Sequence, residues 1–382
     1  MKRTQRLRRG LLNWYREAKR DLPWRGRTDP YEIWISEIML QQTRVDTVIP
    51  YYKEFLSKFP TLEALAQAED ETVRAAWSGL GYYRRAKLMH RAADHLVREH
   101  QGQWPSTAKE LQKLPGFGRY TSGAVASIAF DEPVAAVDGN VMRVIARLQA
   151  IETDVSKGKA NTEVWEFAQR LAVAQIDAPA SETAGDFTQA MIELGATMCT
   201  SKSPDCEACP VSAECRAFKK NLQHQIPPPR PRPKRKTVEL TAIVCHRSRS
   251  IVLEQRPATG IFADLWCLPL LEGHLEADVS LDELERRWNW SCDHAEDVGL
   301  IKHVLTHRDV IVRLISVQTS SELPTGFRRV ELEKLNELGI PSITSKLLEA
   351  GLPDSVLGTV RLPGRKTKKK PSKKSAQVKL FE

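Results

Sequence analysis

The chain is predicted to fold as a mainly α-helical domain over residues 1–225 and a smaller α/β domain over 237–352, with a linker at 226–236 between them. Three observations lead there. Helix-start signals recur along residues 6–220. Pro227, Pro228, Pro229, Pro231 and Pro233 then exclude both helix and central strand. Beyond them the apolar residues come in short strand-length runs. A length of 382 residues is enough for two separate cores.

In order along the chain, Asp29-Pro30-Tyr31-Glu32 opens a helix, with Asp as N-cap, Pro in the first turn and Glu32 reaching back as a capping box. It runs through Trp34 and Ile38 to about Leu40. Thr61 and Asp70 begin further helices, and Gly79 and Gly81 interrupt the pattern before Tyr82-Tyr83-Arg84-Arg85. Thr107 to Leu114 reads as helix, Pro115-Gly116-Phe117-Gly118 as a tight turn, and Arg119 to Ala129 as helix again. The next helix starts near Asp138-Gly139 and gathers Val141, Val144, Ile145 and Leu148 on one face. After the linker, Val238–Cys245, Ile251–Gln255 and Val310–Val317 read as strands, with helices near 280–288 and 342–349. Residues 353–382, with the basic run Lys366–Lys374, are expected to be a disordered tail.

The net charge of +9 is uneven: residues 1–27 carry +8, 230–236 carry +5 and 361–382 carry +8, which leaves −12 on the rest. Positive ends and a positive linker suit a nucleic-acid partner. They suit solvated ends without a ligand equally well. No apolar run reaches the ~18 residues that span a bilayer. The basic start leads into Leu11-Leu12-Asn13-Trp14, not into a signal-peptide core. A cytoplasmic, reducing location and no membrane association are therefore expected.

Four of the seven cysteines, Cys199, Cys206, Cys209 and Cys215, fall within seventeen residues in a C-x6-C-x2-C-x5-C spacing. That clustering points to a metal site over a disulfide framework, with zinc and a 4Fe-4S cluster both compatible. In Leu114-Pro115-Gly116-Phe117-Gly118-Arg119-Tyr120, Gly116 and Gly118 permit close backbone approach. The N–H groups opening the next helix can hold a phosphate without reading sequence.

The hairpin turn, followed about twenty residues later by Val137-Asp138-Gly139-Asn140, and the cysteine loop closing a helical domain together resemble the helix-hairpin-helix DNA glycosylases. Leu22-Pro23-Trp24-Arg25 and Ser36-Glu37-Ile38-Met39-Leu40-Gln41-Gln42-Thr43 resemble, more closely, the MutY adenine glycosylases, through residue 220. The resemblance implies a 4Fe-4S cluster on the four cysteines, structural and DNA-contacting, near Lys202. It implies excision of adenine mispaired with 8-oxoguanine or guanine in double-stranded DNA. The residue chemistry agrees. Glu37, set among Trp34, Ile35, Ile38, Met39 and Leu40, is expected to be buried and held protonated as the acid. Asp138, at a helix N-terminus that favours the anion, would stabilise an oxocarbenium sugar, with Asn140 supporting it.

Lyase relatives carry a lysine where this chain has Tyr120, and a phenol cannot form a Schiff base, so a monofunctional enzyme is expected. The resemblance further implies Gln42 and Tyr82 as groups that fill the gap left by the extruded base, and Leu22, Trp24, Arg25 and Gln189 as pocket residues. Residues 237–350 resemble the Nudix-like second domain of this family through Leu253-Glu254-Gln255-Arg256-Pro257 and Leu265-Trp266-Cys267-Leu268-Pro269. No Nudix box is visible, so no pyrophosphatase activity is expected. The family's Phe-Ser-His loop corresponds here to Leu305-Thr306-His307, which makes Thr306 and His307 candidates for reading the opposite base, with Leu305 unable to stack like Phe. Gln377, Leu380 and Phe381 resemble a sliding-clamp peptide on a basic tether. A nucleoid-associated monomer is expected. The rival readings are an endonuclease III-like glycosylase with lyase activity and a non-catalytic iron–sulfur DNA-binding protein.

Overall fold

The computed structural model describes residues 2–174, 182–229, 234–360 and 362–364. The expected clamp peptide at Gln377, Leu380 and Phe381, and Pro231 and Pro233 of the linker, lie outside these residues. The chain divides into two units: Met1–Val73 with Tyr82–Pro233, and Arg74–Gly81 with Lys234–Glu382. Placing Arg74–Gly81 with the second unit was not anticipated by the sequence. Ser78 shows the basis: its Oγ donates to Leu338 O and accepts from Ile340 N, both at 3.0 Å.

The helical part runs α1 (Arg3–Ala18), α2 (Pro30–Leu40), α3 (Val45–Lys58), α4 (Leu62–Ala66), α5 (Asp70–Ala76), α6 (Arg84–His100), α7 (Ala108–Leu111), α8 (Arg119–Phe130), α9 (Gly139–Gln149), α10 (Gly158–Ala172), α11 (Ala184–Glu193) and α12 (Arg216–Lys219). A single π turn, Leu194–Met198, carries α11 towards the first cysteine. α1 buries Leu7, Leu11, Leu12 and Tyr15 on one stripe, against Val141, Val144 and Phe187 of the same core. α2 has no polar stripe of its own: Tyr31, Ile33, Trp34, Ile35, Ile38 and Met39 are all buried, as a central helix requires.

Most caps are as their side chains predict. Thr61, Thr107 and Asp138 each accept a backbone N–H of the first turn of their helices. The expected capping box at Glu32 does not form: Asp29 accepts from Tyr31 N at 2.8 Å, while Glu32 faces Arg27 at 3.5 Å. The helix expected to reach Leu114 is shorter, ending at Leu111.

The N-terminal basic run also differs from expectation. Arg3 and Arg6 pair with Glu214, Arg8 donates to the carbonyls of Leu171 and Ala172 that end α10, and Arg16 pairs with Glu182. Much of that charge serves the fold.

The second unit holds β1 (Lys236–Arg247), β2 (Ser250–Gln255), β3 (Trp266–Cys267), β4 (Leu270–Glu272), α13 (Ala277–Trp288), β5 (His294–Val304), β6 (Arg308–Gln318), β7 (Phe327–Glu331), α14 (Ser342–Gly351) and α15 (Asp354–Leu357). The strand order is β3-β2-β1-β6-β5, with β4 on β1 and β7 on β2. β1 and β6 pair in parallel, Val238 opposite Val310 and Ala242 opposite Leu314. Their side chains alternate between two cores: Leu240, Ala242, Val244 and Leu314 join Leu347 and Leu348 of α14, while Ile243, Cys245 and Ile315 join Leu284 of α13. A strand covered on both faces reads as a continuous apolar run, as β1 does.

Two boundaries are corrected. Ile226, placed in the linker by its sequence, is buried in the helical core, and Lys236 is already in β1. Residues 353–360 and 362–364 are not tail: α15 lies there, and Leu362 is buried in the core with Leu347 and Leu348.

Candidate active site

α2 and α9 bring one carboxyl each to a cavity of about 660 Å³ in the helical unit. Glu37 comes from the middle of α2 and is only 7% exposed, because the helix around it is apolar. Asp138 comes from the N-cap of α9. The hairpin turn delivers the third group. Gly116 adopts φ +77°, and a Cβ there would lie 2.8 Å from that of Leu88, so the position calls for glycine. Phe117 stacks on Trp34 at 5.4 Å, which seats the turn on α2. α8 then begins at Arg119, and Tyr120 donates from its hydroxyl to Glu37 Oε2 at 2.5 Å.

Burial is the main influence on all three groups. It raises Glu37 above the ordinary carboxylic range, against the lowering effect of the Tyr120 bond and of Arg25 and with a further raise from Asp138. It raises Tyr120 as well, so the phenol stays neutral and donates. Asp138 is also raised. The helix end was expected to favour its anion, yet desolvation outweighs the bonds from Val141 N, Asn140 Nδ2 and Asn140 N. Those bonds are short, 2.7 Å from Val141 N and 2.9 Å from Asn140 Nδ2.

Of the residues singled out in the sequence, Leu22, Trp24, Arg25, Gln42, Gly116, Gly118, Asn140 and Gln189 line this cavity with the three above. Trp24 meets Tyr52 edge-on at 5.5 Å, which holds the indole against the wall. Tyr82 is not part of the lining. It is 42% exposed, with φ +50°. Thr306 and His307 belong to the second unit, exposed on the turn between β5 and β6, while Leu305 packs onto that unit's core.

Sequence reasoning missed a set of supporting residues. Glu193 is fully buried and accepts from Arg20 Nε at 2.6 Å, Arg20 Nη2 at 3.0 Å and Arg25 Nη2 at 2.8 Å. These bonds hold its carboxyl below the ordinary range despite burial. Arg25 also donates to Gln189 Oε1. Arg143 links α9 to the cysteine loop, donating to Asn140 Oδ1, Gly195 O and Cys199 O. The available signal for Glu193 was its place four residues after Gln189, on the same helical face.

Cys199, Cys206, Cys209 and Cys215 line one small cavity with Val144, Leu148 and Val211. Arg147 lies across it, donating to Cys199 Sγ at 3.3 Å and to Thr200 O at 2.6 Å. Burial raises the Cys206 and Cys215 thiols and pushes Cys209 up to about 12. Among the described residues no group of three or more His, Cys, Asp or Glu side chains is arranged to hold a single metal ion. No helix among them is long and apolar enough to cross a membrane.

A helical unit with a hairpin turn, a carboxyl pair and a four-cysteine loop, followed by a helix-covered mixed sheet, defines a base-excision class of protein with a Nudix-like second domain. The comparisons agree. The HhH-GPD superfamily of base excision DNA repair proteins matches residues 35–170, and the NUDIX domain matches 240–350. A thermostable thymine-DNA glycosylase of known structure is 28% identical, with a TM-score of 0.50 over 57% of this chain and 97% of that one.

Adenine DNA glycosylases are similar along most of the chain. That of Arabidopsis thaliana is 37% identical over 90% of this chain and 64% of its own length, and that of Homo sapiens 34% over 92% and 75%. That of Buchnera aphidicola subsp. Schizaphis graminum is 30% identical over 89% and 96%. The chain belongs to the adenine DNA glycosylase family. It spans a little under two thirds of the Arabidopsis relative.

Proposed function

We propose that this chain is a monofunctional adenine DNA glycosylase acting on adenine opposite 8-oxoguanine or guanine in duplex DNA. The observation that carries the reading is the sharing of one cavity by Glu37 and Asp138, with the Tyr120 hydroxyl on Glu37. Glu37, raised by burial, gives a proton to a ring nitrogen of the extruded adenine. The glycosidic electron pair then leaves with the base. Asp138 faces the oxocarbenium sugar that remains. Water adds to that sugar carbon, its proton passes to the Glu37 carboxylate, and an abasic site is left. Tyr120 offers no amine for strand cleavage. The Gly116–Gly118 turn and the N–H groups opening α8 suit a backbone phosphate, and Gln42 and Tyr82 suit the gap in the stack. Thr306 and His307 suit contact with the opposite base.

A 4Fe-4S cluster on Cys199, Cys206, Cys209 and Cys215 completes the reading. Four cysteine side chains around one cavity supply the thiolate ligand set of a cubane. Its iron charge would keep those ligands as thiolates, and its part is structural. The tail suits a sliding-clamp contact through Gln377, Leu380 and Phe381, and the enzyme a monomeric, nucleoid-associated existence.

The test is excision from duplexes bearing A opposite 8-oxoguanine, G, C or T by the wild type, Glu37→Gln and Asp138→Asn. Excision opposite the first two, abolished by either substitution and without strand cleavage, supports the proposal. Activity on oxidised pyrimidines with strand cleavage, or excision surviving both substitutions, overturns it.

A further inference from the structure

We infer that Arg85 is a positioning residue that sets the turn displaying Gln42, and so couples base extrusion to the helix carrying Glu37. The inference rests on the glycosylase reading above.

Leu40–Thr43 forms a tight turn in which Thr43 N donates to Leu40 O at 3.3 Å. Gln41 has φ −59° and ψ 114°, and Gln42 has φ +58°. That is the shape of a type II turn, whose third position ordinarily takes glycine. Gln42 there costs about 1 kcal/mol or more, and such a conformation persists only where neighbours enforce it. The alternative, type I, differs by a flip of the peptide between Gln41 and Gln42 and brings Gln42 to negative φ.

Arg85 holds that peptide. Its Nη1 donates to Gln41 O at 2.6 Å, and also to Ile38 O at 2.7 Å and Met39 O at 3.0 Å, the carbonyls that end the Glu37 helix. Its Nη2 reaches Thr43 Oγ1 at 3.3 Å. A guanidinium suits a helix C-terminus electrically, and a flipped Gln41 carbonyl would forfeit the shortest of these bonds. The same residue governs the second wedge candidate. The backbone N–H of Arg85 donates to Tyr82 O at 2.9 Å, and its guanidinium lies 5.6 Å from the Tyr82 ring. Tyr82 is an exposed aromatic with φ +50°, an unusual backbone for a bulky side chain. Both left-handed residues therefore sit on one arginine, which also ends the helix bearing the acid.

The test uses the full-length protein with Arg85→Met, and with Arg85→Lys as the milder variant. Single-turnover excision is measured on a duplex with A opposite 8-oxoguanine and on one with A opposite an abasic site, where the adenine has no pairing partner. Extrusion costs a few kcal/mol, least for an unpaired base, so a defect in the wedge shows mainly on the paired substrate. The expected result is a loss of roughly tenfold or more on the paired duplex, a loss under about threefold on the unpaired one, and an intermediate defect for Arg85→Lys. Fluorescence of 2-aminopurine at the target position rises less on binding either variant than on binding the wild type. Equal losses on both substrates, or wild-type rates in folded Arg85→Lys, overturn the inference. No excision by the wild-type protein would instead refute the glycosylase reading.

Discussion

Gly195→Ala should slow excision through a residue that the substitution does not replace. A Cβ at Gly195 would stand 2.7 Å from Asn140 Cβ and 3.1 Å from the Asn140 carbonyl. Carbon atoms rest at about 3.5 Å or more, so Asn140 must retreat by roughly 0.8 Å. Its Nδ2 now lies 2.9 Å from Asp138 Oδ2. A retreat of that size directed along the bond takes the pair to about 3.7 Å, outside hydrogen-bonding range. A bond to a charged acceptor contributes about 1.5–3 kcal/mol. If it acts in the transition state, the rate falls roughly 10- to 150-fold. Single-turnover excision of adenine opposite 8-oxoguanine measures it, at a temperature well below the variant's melting point. The route has its own control: Asn140→Ala keeps the Cβ and carbonyl that the methyl meets but lacks the Nδ2 donor, so the two losses should combine to clearly less than their product. Additive losses in the double variant, or a wild-type rate in folded Gly195→Ala, would show that Asn140 does not orient Asp138.

Glu37→Gln should abolish excision yet stabilise the protein at neutral pH by about 1–3 kcal/mol, the usual scale for an incompletely satisfied buried polar group. The sign follows from the raised acid: its contribution is fully present below the unfolded value near 4.3 and is lost as pH rises through the folded one. The gain, read by urea melts, should therefore vanish at acid pH, and wild-type excision should fall as pH climbs past the raised value. Gln42→Gly should relieve the left-handed turn, raising stability by about 1 kcal/mol, while losing excision on paired duplexes. Better melting with full excision would remove Gln42 from the wedge. Glu193→Ala should destabilise by about 3 kcal/mol or more, because Arg20 and Arg25 both lose the carboxylate they bond in a mostly buried setting. A change under 1 kcal/mol would mean that water replaces the pair.

What the sequence revealed and what it hid divide by range. Asp29, Thr61, Thr107 and Asp138 are legible as caps because a cap is made within three residues of itself. β1 and β6 are legible because pairing on both sides and helices on both faces leave apolar runs at their centres, Ala242–Cys245 and Val310–Val312. β5 is a sheet edge with Glu296, Asp297, Leu300 and Lys302 exposed, and its alternation carries no clear apolar face. Glu37 announced itself as a charge in an apolar helix, and the cysteines by their spacing. Glu193 with Arg20 and Arg25, and Arg85 with Gln41, join residues 168 to 173 and 44 positions apart, which no local pattern encodes. The basic N-terminus was legible only as charge: that Arg3 and Arg6 pair with Glu214, Arg16 with Glu182, and Arg8 ends α10 joins residues too far apart in sequence to be read locally.

The carboxyls are pushed the same way by burial, so the division of labour between them must come from what each accepts. Asp138 takes Val141 N, Asn140 Nδ2 and Asn140 N, and Arg143 adds its field. Among the described residues Glu37 takes the Tyr120 hydroxyl, with Arg25 helping and the Asp138 charge opposing. Two acids sharing one cavity resist ionising together, and the first proton lost comes from the better-solvated anion. On the proposed reading that group is Asp138, held by fixed donors at a helix end, and Glu37 keeps its proton among the apolar side chains of α2. The proposed acid for the base and the proposed anion for the sugar would then arise from the same desolvated cavity. The donors that separate them are also tied outward, since Asn140 is itself braced by Arg143, whose other bonds run to Gly195 O and Cys199 O. Removing Asn140 should therefore cost more than one hydrogen bond: it narrows the gap between the two acids, and the pH profile of excision should broaden and shift as well as fall.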